Sequence, residues 1–360
     1  MVHLEKVLVV DLVNHGNGHG LVNKSLIRQL RRFFRITYLG KKSTCDFLRV
    51  LNFDLTFKYL NEYNFKVSRL IYLTWLLLKV LVSSRYSKVF FLAMNVREIR
   101  ILIFLHHIIK PKVEIHLFLH SNLEYLVNSD REVLIKLFKS NIRKYVFGYW
   151  IINKINSLFL TNYLYNISHP VESKIWYSPD PMSMNFVFSG VCTRNKGFDI
   201  FCRLWNIFLN NTNTEFSVAG SISKNYCKEL QEEFIFLRDI DIADQFLSDE
   251  SYSIICSKAT YFVLPHLENY SLISSGSFMD CFMYNKPIIT LKNDMSIYYF
   301  NKFGNIGYLC DNEDELSKVV SFCILNFDKN IYELQVRNLK NAQLILLNEF
   351  DYSIKQNICL

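Results

Sequence analysis

The chain has 360 residues, half of them hydrophobic and 21% charged, with a formal net charge of +8. That balance excludes a disordered chain, and the length suits two domains with cores of their own. The nine cysteines stand singly, with no CxxC pair and no metal-ligand spacing against the nine histidines, so reduced thiols in a cytoplasmic protein are expected.

Met1–Lys6 shows no secretory signal and leads straight into the strand-like Val7–Val10. In the first half, apolar runs predict strands at Lys6–Val10, Ile36–Leu39, Lys88–Ala93, Val113–Leu119 and Ser157–Thr161. Between the first two, Val22, Leu26, Leu30 and Phe33 share one face of a helix. Arg28, Arg31, Arg32 and Arg35 crowd its other side. Leu70–Val82 is the longest hydrophobic stretch, yet at 13 residues it falls short of the roughly 20 that span a bilayer. It reads as a buried or half-buried helix, with a helix lying in the membrane interface as the alternative.

Charge is unevenly spread. Residues 1–180 carry 26 Lys and Arg against 12 Asp and Glu, a balance of +14, which leaves −6 on the remainder. A basic half implies an anionic partner. No nucleic-acid motif appears, and apolar side chains interleave with the basic ones, so an anionic membrane surface is preferred to nucleic acid.

Two loops in this half sit where a strand meets a helix. Asn14–Gly20 carries Gly16, Gly18 and Gly20, which allow close backbone approach to a phosphate or sugar. Asn23 stands where a dinucleotide fingerprint needs a third glycine, and no convincing acid follows the second strand, so that fold is rejected here. Leu117–Glu124 ends a strand in His120, at the carboxyl edge where open α/β sheets bind ligands.

The stretch from His169-Pro170 to Pro181 holds three of the six prolines and reads as a linker, dividing a domain at 1–180 from one at 181–340 and a helical tail at 341–360. Strands are predicted again at Asn185–Ser189, Glu215–Ala219, Glu233–Leu237, Tyr261–Leu264, Pro287–Leu291 and Gly307–Leu309, and a helix at Tyr332–Leu347. Such alternation argues for parallel sheets with crossover helices. Gly190 ends a strand and Lys196 precedes a helix, where a cation is unfavourable by roughly 0.3–1 kcal/mol unless an anion compensates. Ser274, Ser275 and Gly276 open the helix Ser277–Tyr284 just past another strand end, a place suited to holding a phosphate. Asp239-Ile240-Asp241 matches the short DxD pattern of metal-dependent transferases, but the match is too brief to assign a metal.

Taken together, these residues resemble a GT-B glycosyltransferase of the family-4 type, as used for bacterial surface polysaccharides. The glycine, five residues and Lys-Gly of the family's phosphate loop are met by Gly190 through Lys196-Gly197. Its closing signature is met by Lys286-Pro287-Ile288-Ile289, its early glycine loop by Gly16–Gly20, and its N-domain histidine by His120. The likeness is clearest over Asn185–Val320. Val191 stands where the family carries an arginine, with Arg194 nearby. Of the family's two glutamates, the second position holds Asp280 and the first Leu272, with Glu268 in the preceding turn.

The resemblance implies two Rossmann-like α/β domains with parallel sheets facing across a cleft, and transfer of a sugar from a nucleotide diphosphate donor to a glycan hydroxyl. His120 and Lys196 are then the catalytic candidates. Gly16, Gly18, Gly20, Gly190, Arg194, Ser274, Ser275, Gly276 and Asp280 would bind the donor, and Glu268 would contact its sugar. It further implies retention of configuration, no metal and no cofactor, a lipid-linked acceptor in O-antigen or capsule assembly, and a peripheral place at the inner membrane face. A nucleotide-sugar-binding protein without catalysis, an epimerase of the same architecture, and an anionic-polymer-binding protein remain open.

Overall fold

The computed structural model describes residues 4–13, 20–50, 55–60, 66–119, 123, 130–174, 184–239, 247–270 and 272–359. Gly16, Gly18, His120 and most of Asp239–Asp241 therefore lie outside the described residues, while Gly20 begins the first helix. The chain forms two compact units, Met1–Pro170 with Asn348–Leu360, and Val171–Leu347.

Among the described residues, the first unit has strands β1 (Glu5–Asp11), β2 (Phe34–Gly40), β3 (Thr56–Tyr59), β4 (Lys88–Ala93), β5 (Glu114–Phe118), β6 (Arg143–Val146) and β7 (Leu164–Asn166). They form one parallel sheet in the order β3-β2-β1-β4-β5-β6-β7. Val7 pairs with Ile36 on one side and Lys88 on the other. Val7–Val10 are buried because helices cover both faces of a parallel sheet, which is why β1 reads as an unbroken apolar run. The helices are α1 (Gly20–Leu30), α2 (Lys42–Val50), α3 (Lys66–Val82), α4 (Val96–Ile109), α5 (Arg131–Lys139) and α6 (Tyr149–Leu158). Right-handed crossovers put α1 and α2 on one face of the sheet and α3 to α6 on the other. Val22, Leu26 and Leu30 of α1 share a core with Phe350, Ile354 and Ile358 from the end of the chain.

The second unit has β8 (Met184–Ser189), β9 (Thr214–Ala219), β10 (Tyr261–Leu264), β11 (Ile288–Leu291) and β12 (Gly307–Cys310), parallel in the order β12-β11-β10-β8-β9. Its helices are α7 (Phe198–Ile207), α8 (Lys224–Glu233), α9 (Asp249–Lys258), α10 (Gly276–Tyr284), α11 (Asp294–Phe303), α12 (Glu313–Leu325) and α13 (Lys329–Ile354), whose final turns from Asn348 onward belong to the first unit. The last of these outruns the predicted helix Tyr332–Leu347 at both ends. Ser248 caps α9 by accepting from the Ser251 N–H at 3.1 Å, as its place before two acids predicts.

Two predicted strands are absent. Ser157–Thr161 is the end of α6 and the turn after it, with Leu158 and Leu160 exposed. The strands of this stretch are β6 before the helix, masked in the sequence by Arg143 and Lys144, and the short β7 after it. Lys144 is nonetheless buried, because its ammonium donates to the carbonyls of Leu137 at 3.0 Å and Ser140 at 3.0 Å and so closes the end of α5. Glu233–Leu237 is a helix end followed by a 3-10 turn over Ile235–Asp239, in which Phe234 and Leu237 are buried and Ile235 is exposed.

Candidate functional site

The site is built in the second unit, at the carboxyl ends of β8 and β10. Gly190 follows β8 with φ +86°, a conformation that favours glycine, and its N–H donates to the Ala219 carbonyl at 2.8 Å. A Cβ on Gly190 would lie 3.0 Å from Lys196 Nζ and 3.1 Å from Ser277 Cβ. The bare glycine thus makes room for a lysine and a helix start to meet above the strand.

Arg194–Lys196 form a 3-10 turn, closed by Gly197 in the left-handed region at φ +70°. A Cβ there would sit 2.2 Å from the Pro265 carbonyl oxygen, so only glycine lets this turn press against the end of β10. The Leu267 N–H donates to the Asn195 carbonyl at 3.1 Å and fixes the same contact from the other side. The lysine turn is thereby pinned before any ligand arrives.

Lys196 keeps part of its side chain at the surface, but its ammonium lies among protein atoms. It donates to Ser277 Oγ at 3.3 Å and stands 6.0 Å above the Tyr270 ring centroid. Ser277 Oγ is 2.8 Å from Ser275 Oγ, and Ser275 caps α10 by accepting from the Phe278 N–H at 3.3 Å. Burial lowers the Lys196 pKa, with the nearby Cys192 and Asp280 opposing the shift. A new anion at this point would restore the charged form.

Asp280 lies one turn further along α10 and is buried. The Tyr252 hydroxyl donates to it, and the Ser189 hydroxyl, nearby, donates to the Ser277 carbonyl at 3.4 Å. Burial raises its pKa to about 6, against those hydroxyls and the charges of Lys196 and Lys174. Gly276 is exposed, and a Cβ on it would meet nothing within 4 Å. The first N–H groups of any helix lack partners within the helix, so this open position faces ligand or solvent with the positive end of the α10 dipole. Ser274 is buried, and its hydroxyl has no hydrogen-bond partner among the described residues.

The sequence candidates therefore separate. Gly190, Lys196, Ser275 and Gly276 are brought together, with Asp280 behind them. Arg194 is instead exposed, paired with Glu229 of α8, its guanidinium 5.8 Å over the Tyr226 ring centroid. Glu268 stands exposed at the start of the turn that carries Tyr270. Val191 is exposed and Leu272 buried at the two positions where the family pattern has changed.

Sequence reading missed Ser277, Tyr252, Tyr270 and His266. His266 is fully buried, stacked on Tyr270 with centroids 4.9 Å apart, and neither ring nitrogen has a partner among the described residues. Burial first, and Lys196 second, hold it neutral. Its position directly after the strand-ending Pro265 is the one signal that the sequence offered.

No family model matches the chain, and no curated protein matches it in sequence. Solved structures do match in fold. HepE of Anabaena, in complex with UDP-glucose, superposes with a TM-score of 0.70 at 13% identity over 98% of each chain. WaaG, a glycosyltransferase involved in lipopolysaccharide biosynthesis, gives 0.65 at 10% over 98% of this chain and 99% of its own. A UDP-GlcNAc 2-epimerase from Methanocaldococcus jannaschii gives 0.56 at 13%, over 94% of this chain and 99% of its own. Two parallel-sheet Rossmann-like domains of the GT-B class are thus shown, and at such identities the likeness extends to the fold alone.

Proposed function

We propose that the protein is a glycosyltransferase that moves a sugar from a nucleotide diphosphate donor to a hydroxyl of a glycan. One observation carries this reading. The Lys196 ammonium, the Ser275 and Ser277 hydroxyls and the amino end of α10 converge at the carboxyl ends of β8 and β10. A cation already partly desolvated, set beside a helix dipole, stabilises negative charge that grows on a departing diphosphate. HepE, solved with UDP-glucose, supports a donor of this class.

In this reading Lys196 takes the charge of the leaving group, so no metal is called on, and configuration is retained. Gly190 and Gly276 let phosphate oxygens approach the backbone, and the family resemblance assigns Gly16, Gly18 and Gly20 to the same donor. Asp280 serves the ribose only if binding draws it away from Tyr252. The family resemblance gives His120 a role at the reacting sugar or the acceptor. Arg194 contributes only by leaving Glu229. The acceptor is a lipid-linked glycan of a surface polysaccharide at the inner membrane face, as the lipopolysaccharide role of WaaG and the basic first half suggest.

A second reading is a nucleotide-sugar-binding protein without catalysis, favoured by buried Leu272 and exposed Val191 at changed family positions. The first test is thermal shift against UDP, GDP, CDP, dTDP and ADP. A ligand at a hundred times its Kd adds about 2.7 kcal/mol to the native state. One shift that Lys196→Ala abolishes supports the donor site, and no shift with any of the five refutes it. Sugar release or transfer from the matching donor then separates enzyme from binder.

A further inference from the structure

The first unit carries an apolar stripe that donor chemistry does not use. On α3, Leu73, Leu76, Leu77 and Val80 are buried. At helical spacing on the opposite side stand Ile71, Trp75, Leu78 and Val82, and all four are exposed, Ile71 by 65%, Trp75 by 51% and Val82 by 64%. A helix covering a sheet ordinarily presents polar side chains there. α4 packs beside α3 on the same face of the sheet and exposes Phe104 by 64% and Ile108 by 60%. Six large apolar side chains thus share the outer surface of two neighbouring helices, which a lone exposed leucine would not signify.

Among the described residues, the polar side chains around this stripe are mainly cationic. Lys79 lies 4.8 Å over the Trp75 ring centroid, Arg97 and Arg100 share the outward face of α4, and Lys136 and Lys139 are exposed on α5 next to it. Of the nearby acids, Glu132 is exposed and Asp130 is paired with Arg100. No helix among the described residues is long and apolar enough to cross a membrane. The basic helix α1 differs, because its described apolar side chains Val22, Leu26, Ile27 and Leu30 are buried and Arg32, just after it, pairs with Asp351 at 3.6 Å. It carries charge without an exposed apolar stripe.

We infer that α3 and α4 form a docking surface for an anionic lipid bilayer. α3 lies in the headgroup plane, Ile71, Trp75, Leu78 and Val82 enter the acyl boundary, and Lys79, Arg97, Lys136 and Lys139 meet the headgroups. An apolar stripe ringed by cations matches both layers of such a surface at once, which decides for lipid over a protein partner. The inference gives the membrane part of the functional reading a location and rests on that reading for its purpose.

The test is flotation of the full-length protein with vesicles of phosphatidylcholine, with and without phosphatidylglycerol. Binding should need the anionic lipid, weaken with salt, and fall about tenfold or more in Trp75→Ser/Leu78→Ser. Because both side chains are exposed, melting temperature and nucleotide-induced shift should stay as in the wild type, so failure here is distinct from failure of the donor site. Lipids brominated on the acyl chain should quench the wild type more than Trp75→Phe. Undiminished vesicle binding by the double variant would overturn the inference. So would loss of binding only on reversing Arg28, Arg31 and Arg32, or a dimer that the double variant dissolves, which would give the face to a second copy.

Discussion

Replacing Lys196 by methionine should make the protein more stable and a poorer binder of its donor. The lysine spends most of its length inside the unit, burial lowers its pKa, and its described hydrogen bond is one to Ser277 Oγ at 3.3 Å. Folding with that group charged therefore carries an uncompensated desolvation cost. An unbranched thioether of similar reach fills the space without it. Removing a desolvated cation that makes one described hydrogen bond stabilises, and Asp280 nearby, losing a favourable charge, pulls the other way. A gain of about 1–2 kcal/mol raises Tm by about 2–8 °C for a unit of this size. Donor binding moves the other way. A charge-assisted hydrogen bond contributes about 1.5–3 kcal/mol, so the nucleoside diphosphate should bind about 10- to 150-fold more weakly by titration calorimetry. Turnover should fall by about 100- to 1,000-fold. Lys196→Arg should not restore it, since a single methyl on Gly190 would already come within 3.0 Å of the ammonium. A lower Tm with an unchanged Kd would refute this account and make the lysine a structural residue.

Three more substitutions probe the same region. Gly276→Ala meets open space and should leave stability within about 1 kcal/mol of the wild type, while weakening donor binding at least about tenfold if phosphate approaches the start of α10; calorimetry and thermal melts read the two effects separately. Gly197→Ala places a methyl 2.2 Å from the Pro265 carbonyl at φ +70° and should cost about 2–4 kcal/mol in urea unfolding. Asp280, at about 6 in the folded chain against an ordinary 3.8, keeps its proton where the unfolded chain has lost it. Its contribution is therefore full below pH 4 and lost as pH rises through 6, about 3 kcal/mol in all. Asp280→Asn should flatten the stability profile across that window, and an unchanged slope would show that the carboxylate ionises freely.

Much of the fold was legible because parallel strands buried on both faces are unbroken apolar runs. Val7–Val10, Phe186–Phe188 and Tyr261–Leu264 need no partner to be recognised, and the glycine and serine turns after them mark where a ligand would be held. The Gly190 to Lys196-Gly197 spacing already fixed which lysine returns to the strand end. Burial of charge was not legible. Lys144 reads as a surface residue and hid β6, because what offsets its desolvation is a set of carbonyls at the end of α5, brought there by packing. The same holds in the site. Arg194 and Lys196 are two residues apart and look equivalent, yet one turn of 3-10 helix sends the first to Glu229 and the second to Ser277. His266 and Tyr252 join the site through helices and loops far along the chain. On α3 the sequence shows an apolar helix and cannot say which side is covered, since that depends on which neighbours the sheet topology supplies. Sequence determined most of the elements and the chemistry available at their ends; tertiary packing decided which charges are desolvated and which apolar faces stay bare.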